Sequence, residues 1–353
     1  MKAWVLDSIG NINLKEIEKP VISEGQVLVK VGAAGICGSD IPRIYKDGAH
    51  NMPLVPGHEF SGTVVEAACL EGQKWMGRRV GIFPLIPCQK CKPCLEQKYE
   101  MCRHYNYLGS RCDGGFAEYV AVPIWNLIEL PDNVSLEQAA MLEPLAVSVH
   151  AMRQFIKNKE DLENKKIVIC GLGTIGLMLL MFISEYVDDM NNVYVIGSKS
   201  SQKNRALNMG IVESHYVDGK VDDVIAWSKT MFGEDGPDYY FECVGNNKTI
   251  SQGIDIVRPG GYVQLVGNPA SDMEFDKSTY WKILRNQLTV KGTWNSAFKS
   301  DDDDWHYVLD RLSNEKVSVD ELITQKYDIE HFRDGLELMR DKKEEYIKVL
   351  LTF

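Results

Sequence analysis

Cys37-Gly38-Ser39-Asp40 is followed, a short loop later, by Gly57-His58-Glu59. A thiolate, an imidazole and a carboxylate together suit zinc, and a catalytic zinc keeps one coordination position free for water or substrate. Cys37, His58 and one Glu would supply such a set. Each residue alone has a plainer reading, since a lone Cys is usually a small buried hydrophobe and a His beside Glu a satisfied loop residue. A second cluster, Cys88, Cys91, Cys94 and Cys102, contains two successive C-x-x-C steps and a fourth thiol further on. Four thiolates complete a tetrahedral zinc and leave no room for substrate, so this pattern predicts a structural site that folds an otherwise polar loop. The alternatives are four unligated thiols or a nucleic-acid-binding zinc ribbon. Glu96, Glu100 and the acidic chain oppose the ribbon.

The third motif is Gly171-Leu172-Gly173-Thr174-Ile175-Gly176. It follows the apolar run Lys166 to Cys170 and precedes an apolar helical stretch, Leu177 to Ile183. A G-x-G-x-x-G between strand and helix is the context that marks a dinucleotide site: the glycines permit a tight turn and let pyrophosphate approach the helix N-terminus. About 20 residues past the last glycine, an NAD site normally offers Asp or Glu to the adenosine ribose. This chain offers Gly197-Ser198-Lys199-Ser200-Ser201, with Lys203 and Arg205 following. No carboxylate is there to repel a 2′-phosphate, Ser198 can donate to one and Lys199 can neutralise it, which favours NADP over NAD. A solvated helix start with NAD still preferred is the plainer alternative.

Elements must position these residues. The 353 residues suffice for two domains, each with its own core. Up to about residue 130 the chain reads as short β-favouring runs, Ala3 to Leu6, Gln26 to Ala33, Gly62 to Glu66, Arg79 to Phe83 and Ala117 to Val122, broken by Gly, Pro and Asp. This suggests a barrel-like domain whose loops carry the chemistry. A helical pattern begins near Ser135 and carries Glu143 in an apolar stretch, where a carboxylate is costly unless paired or bound to metal. From about Ala146 helix and strand alternate, with further strands Val193 to Ile196, Tyr239 to Glu242 and Tyr262 to Val266; this is the pattern of a doubly wound parallel sheet. A helix is expected to start in the acidic run Asp301 to Asp304, and a last strand, Val349 to Leu351, to return to the first domain.

The net charge of −11 argues against a nucleic-acid or anionic-membrane surface. The N-terminus reads as lacking a signal core, and no apolar run approaches the roughly 20 residues of a membrane span, so a cytoplasmic protein is expected. Nine cysteines in a reducing compartment then fit metal and burial better than disulfides.

With these residues placed, the chain resembles the zinc-containing medium-chain dehydrogenases over essentially its full length, and within them the polyol dehydrogenase branch. Cys37-Gly38-Ser39-Asp40-Ile41-Pro42-Arg43, Gly48-Ala49-His50, Gly57-His58-Glu59-Phe60-Ser61-Gly62 and the stretch Gly109-Ser110-Arg111 to Tyr119 carry the resemblance. It implies a Rossmann doubly wound parallel sheet inserted in a GroES-like β-rich catalytic domain. The implied division is 1–145 with a zinc lobe at about 84–105, 146–294 for the dinucleotide, and 295–353 returning to the catalytic domain.

The resemblance also implies two zinc ions per chain and a nicotinamide cofactor. Cys37, His58 and Glu143 would hold the catalytic zinc, Glu59 would exchange with water or substrate, and Asp40 would orient His58. Alcohol dehydrogenases of the family carry Cys in place of Glu143. Ser39 would pass a proton outward, while Pro42 stands where the relay His of those enzymes would be. Cys243, Val244, Val266, Gly267 and Asn268 should face the nicotinamide half. Arg43, His50, Arg111 and Lys282 are candidates for a substrate phosphate, with surface solvation as their plainer reading. Trp294 and Asn295 are candidates to line the substrate pocket. The expected reaction is hydride transfer at a secondary hydroxyl of a polyol phosphate; an unphosphorylated polyol or secondary alcohol, or a dinucleotide-binding protein without turnover, are the alternatives. A homodimer or homotetramer joined at the sheet edge near Val290 is expected.

Overall fold

In the computed structural model, which describes residues 1–187, 189–269, 271–299 and 303–353, the chain divides into two units. One comprises Met1–Ala146 with Ser296–Phe353, the other Val147–Asn295. Asp301 and Asp302 of the acidic run lie outside the described residues. The helix that follows, Asp304–Ser313, is capped by Asp303, whose carboxylate accepts the His306 N–H at 2.7 Å.

The first unit is built on a mostly antiparallel sheet whose centre is the strand Gln26–Ile36, flanked by Glu59–Ala67 and by the C-terminal strand Lys348–Thr352. Val27, Val29, Val31, Ala34 and Ile36 are buried and meet Trp4, Phe60, Phe116 and Phe332 in one apolar core. Burying a side chain of that size contributes about 1.5–3 kcal/mol, which is what holds strands of modest propensity in place. Sequence propensity ends the central strand at Ala33, because Ala33-Ala34-Gly35 favours no strand. Pairing on both sides overrides this: Gly35 opposes Leu350 on one edge and Glu59 on the other. The extension matters, since it carries the chain directly into Cys37.

Ser135 caps the helix Leu136–Ala140 through a capping box with Gln138, and the next helix, Leu142–Arg153, opens with Glu143. Residues from 296 onward return to this unit through stacked aromatics: Phe298 lies 4.7 Å from Phe83, and Trp305 sits edge-on to both. Tyr99 of the four-cysteine lobe packs on Trp125 at 4.9 Å, which fastens the lobe to the same cluster.

The second unit holds a six-stranded parallel sheet in the order Tyr216–Asp218, Val193–Gly197, Ile167–Cys170, Tyr239–Glu242, Tyr262–Leu265, Thr289–Gly292. The order runs outward in both directions from Ile167–Cys170, so a crevice opens at the carboxyl ends of the central strands, where open α/β sheets bind ligands. All four residues of that strand are buried, as is every residue from Gly176 to Ile183 in the helix behind it. Among the described residues no helix is long and apolar enough to cross a membrane.

Candidate active site and two candidate metal centres

The strand Gln26–Ile36 delivers Cys37, and the strand beside it, Glu59–Ala67, begins at Glu59 with His58 just before it. This antiparallel register brings Cys37, His58 and Glu59 together, with donor atoms all within 4.8 Å of one another. His58 and Glu59 are buried, which is costly for an imidazole and a carboxylate unless something engages them. Nδ1 of His58 stands 3.4 Å from Oδ1 of Asp40, an electrostatic contact without a formed hydrogen bond, and Nδ1 has no hydrogen-bond partner among the described residues. Nε2 is therefore the nitrogen left to an ion. Asp40 is fully buried and accepts the Cys37 N–H at 2.9 Å and an N–H of Arg43. Burial opposes ionisation of Asp40, but His58 and Arg43 outweigh it and hold its carboxyl below the ordinary range. Burial likewise lowers His58, and Asp40 and Cys37 outweigh it, so the imidazole is raised well above its usual value. A thiol, an imidazole and a carboxylate in one dry cluster form a donor set that fits zinc with an open place.

Glu143 lies outside that tight trio. It is 7 % exposed at the start of Leu142–Arg153 and accepts a hydrogen bond from the Tyr107 hydroxyl at 3.2 Å. Burial, partly offset by His58 and reinforced by Glu59, pushes its carboxyl up to about 7. Two further residues at this site were not apparent from the sequence. Tyr107 is one. Lys348 is the other: it is buried and ion-paired with Glu59. Ser39 stands beside this cluster in the turn that leads into Asp40–Pro42.

The four-cysteine lobe is compact. Sγ atoms are separated by 3.4 Å (Cys91 to Cys94), 3.9 Å (Cys91 to Cys102) and 4.0 Å (Cys88 to Cys94). Tetrahedral Zn–S bonds of about 2.3 Å place sulfurs about 3.8 Å apart, so the thiols are already spaced for one ion. Backbone N–H groups of Arg103 and Cys94 lower the Cys91 thiol to about 6, while burial and its sulfur neighbours push Cys94 up to about 12. Such a divided set is what mutual crowding of thiols produces, and a shared cation would relieve it.

In the second unit Gly173 precedes the helix Thr174–Tyr186, and a Cβ there would meet nothing within 4 Å. A Cβ at Gly176 would instead collide with the Gly171 carbonyl. The turn is thus tight beneath and open above, a cradle for pyrophosphate at a helix N-terminus. Glu242 ties the neighbouring loops to it: its carboxylate accepts the Val244 and Gly245 N–H groups at 2.9 Å, and its carbonyl accepts those of Val266 and Gly267 at 2.8 and 2.9 Å. Cys243, Val244, Val266 and Gly267 accordingly gather at adjacent strand ends, with Asn268 against Gly245. Burial pushes the Cys243 thiol well above its ordinary value, so it behaves as a neutral packing group.

At the ribose position, a Cβ on Gly197 would meet Leu172 at 2.9 Å and Tyr216 at 3.0 Å. Tyr216 fills the space that an acidic side chain would need. Ser198 and Lys199 are half-buried beside it. Lys203 lies 5.0 Å over the Tyr216 ring and pairs with Glu213 at 3.0 Å.

The candidate phosphate contacts separate. His50 is exposed, and its neighbour Asn51 donates to the Arg111 carbonyl at 2.9 Å, so these two loops are joined. The Arg111 guanidinium stacks on Tyr105 at 4.3 Å. Arg43 has committed one nitrogen to Asp40. Lys282, in the second unit, pairs with Asp255 at 2.6 Å, which accounts for it structurally. Trp294 is 60 % exposed, and Asn295 takes a left-handed backbone with φ of 58°.

Comparison with known proteins bears on the family and the fold. Residues 23–132 match the alcohol dehydrogenase GroES-like domain, and residues 136–353 the glucose dehydrogenase C-terminus. Galactitol 1-phosphate 5-dehydrogenase of Escherichia coli strain K12 is 32 % identical over 342 residues, covering 95 % of each chain. Sorbitol dehydrogenase of Bacillus subtilis is 27 % identical, covering 99 % of this chain and 97 % of the other. The crystal structure of galactitol-1-phosphate dehydrogenase from Escherichia coli superposes with a TM-score of 0.88 at 31 % identity, covering both chains completely. The fold is therefore a GroES-like β-rich domain joined to a Rossmann parallel sheet, and this chain belongs to the zinc-type alcohol and polyol dehydrogenases, enzymes that work with NAD or NADP.

Proposed function

We propose that the protein oxidises a secondary hydroxyl of a polyol phosphate, or reduces the corresponding ketose phosphate, with one catalytic and one structural zinc. The observation that carries this reading is the trio of half-buried Cys37 with buried His58 and Glu59, and buried Glu143 close by, since a protein that only bound a dinucleotide would have no use for an open donor set. When bound, zinc supplies Lewis acidity that lowers the pKa of a substrate hydroxyl, and the dinucleotide supplies the hydride acceptor. Cys37, His58 and Glu143 would hold the ion. Asp40 fixes the imidazole and Ser39 passes the released proton outward. Water or Glu59 would take over the outlet that a relay His would provide, because Pro42 stands at that position.

NADP is favoured over NAD. Gly197 presents no carboxylate, Tyr216 fills the space where one would sit, and Ser198 and Lys199 follow at the strand end. A 2′-phosphate would find a hydroxyl donor and a cation there. For the substrate phosphate, His50 and Arg111 are the best supported pair, because Asn51 joins their loops and the Arg111 guanidinium is held flat on Tyr105. Oligomerisation fits the edge strand Thr289–Gly292, which pairs on one side only among the described residues.

The deciding experiment compares kcat/KM for a hexitol 1-phosphate and the same hexitol, each oxidised with NADP⁺ and with NAD⁺. The reading expects preference for the phosphorylated substrate, lost in Arg111→Ala through a raised KM. Equal efficiency on both would leave the unphosphorylated polyol, the substrate class named for the Bacillus subtilis relative, as the better assignment.

A further inference from the structure

Tyr107 closes the short strand Asn106–Tyr107 at the edge of the catalytic donors. Its hydroxyl donates to Oε1 of Glu143 at 3.2 Å, and its ring meets the His58 imidazole edge-on with centroids 5.9 Å apart. The backbone at the same residue is anchored: its carbonyl accepts the N–H groups of Ser110, Arg111 and Cys112 at 3.2, 2.9 and 3.2 Å. A phenol so placed has its hydroxyl proton directed at one oxygen of Glu143.

A carboxylate can give a metal one oxygen or two, and with two it fills the place a substrate needs. We propose that Tyr107 is a positioning residue that occupies Oε1 of Glu143, restrains this carboxylate to one-oxygen ligation through Oε2, and so keeps the substrate place open. The proposal rests on the reading of Glu143 as a zinc ligand. It extends that reading by explaining how a carboxylate can stand at such a site without closing it. Outer partners of metal ligands commonly matter by 10–100-fold in metal affinity or activity, so the effect should be measurable.

The test uses the full chain with Co²⁺ in the catalytic site and zinc retained by the four cysteines. Tyr107→Phe keeps the ring against His58 and the backbone turn, so the fold survives. The expected result is a weaker visible Co²⁺ band as the coordination number rises, with an affinity for the ion changed by about 10–100-fold. KM for the alcohol should rise in the zinc enzyme as Glu143 competes for the place. An unchanged band and affinity in Tyr107→Phe overturns the proposal. Glu143→Gln separates the two levels: if it leaves the Co²⁺ band untouched, Glu143 is no ligand and the underlying reading fails with the proposal. If it changes the band while Tyr107→Phe does not, only the role of Tyr107 fails.

Discussion

Lys348 and Glu59 come from two strands separated by Gln26–Ile36, yet their charged groups meet with 3 % and 1 % exposure. Gly35 makes the meeting possible, since a Cβ there would run into the Glu59 carboxylate and stand 2.8 Å from Cε of Lys348. Burial disfavours the ammonium, but Glu59 foremost, with Cys37 and Glu143, raises its pKa above the ordinary lysine value. A raised lysine contributes stability that is fully present below its unfolded value of 10.5 and fades only as pH climbs through the folded one, so the pair is intact at neutral pH. Removing one partner of a buried pair leaves an uncompensated charge, at a cost of about 3–5 kcal/mol. Lys348→Met should therefore lower Tm sharply in metal-free protein and less in zinc-loaded protein, where Glu59 has a cation to turn to; adding Glu59→Gln should recover most of the loss. A single-variant cost under about 1 kcal/mol by calorimetry would mean the pair is not desolvated as it looks. The sequence made Cys37, His58 and Glu59 conspicuous because unlike donors recur there at short spacing. Lys348 lies 289 residues from its partner, and its only local signal is a charge opening the apolar strand Lys348–Thr352. Tyr107 offered still less, because a tyrosine near a turn looks like ordinary packing until the fold points it at Glu143.

Among the elements, the parallel strands Ile167–Cys170, Val193–Gly197, Tyr239–Glu242 and Tyr262–Leu265 were legible because each is a short β-branched or aromatic run, whereas the three-residue edge strand Tyr216–Asp218 was not. The extension of the central strand from Ala33 to Ile36 was not, because it is set by pairing on both edges. The same distinction applies at the other end of the parallel sheet, where Asp238 fastens strand starts together. Its carboxylate accepts the Lys166 N–H at 2.9 Å and Nε–H of Arg258 at 2.7 Å, with Lys165 3.5 Å away. Burial opposes ionisation, but the Lys166 N–H and Arg258 outweigh it and lower the Asp238 pKa. A depressed carboxyl contributes stability that is present above its unfolded value of 3.8 and is lost as pH falls through the folded one. Asp238→Asn should then cost about 1–3 kcal/mol at pH 7, where a charge-assisted bond is lost and Arg258 is left poorly matched. By urea unfolding the deficit should shrink at pH 3 and below, as the wild-type carboxyl is itself protonated. A deficit equal at both pH values would assign the effect to packing instead.

Across the whole molecule, every candidate metal donor named above lies within Met1–Ala146 and every candidate dinucleotide contact within Val147–Asn295. The glycine turn, the loops tied by Glu242 and the Gly197–Lys199 strand end are each held by hydrogen bonds and packing inside the second unit. Their geometry makes no use of Cys37, His58, Glu59 or Glu143. Sites that share no partners behave additively to within about 0.5 kcal/mol, or roughly twofold in affinity. Stripping the catalytic ion with a chelator should thus abolish turnover while leaving the Kd for NADPH, by titration calorimetry, within about twofold of its original value. Turnover should return on adding Zn²⁺ without any change in dinucleotide affinity. The four-cysteine cluster provides the control, because loss of an ion held there would free the thiols of Cys88, Cys91, Cys94 and Cys102 to a thiol reagent and expose that lobe to proteolysis. If NADPH binding weakened tenfold or more while those thiols stayed protected, the catalytic donors and the dinucleotide cradle would have to be one coupled site, and the separation argued from the two units would be wrong.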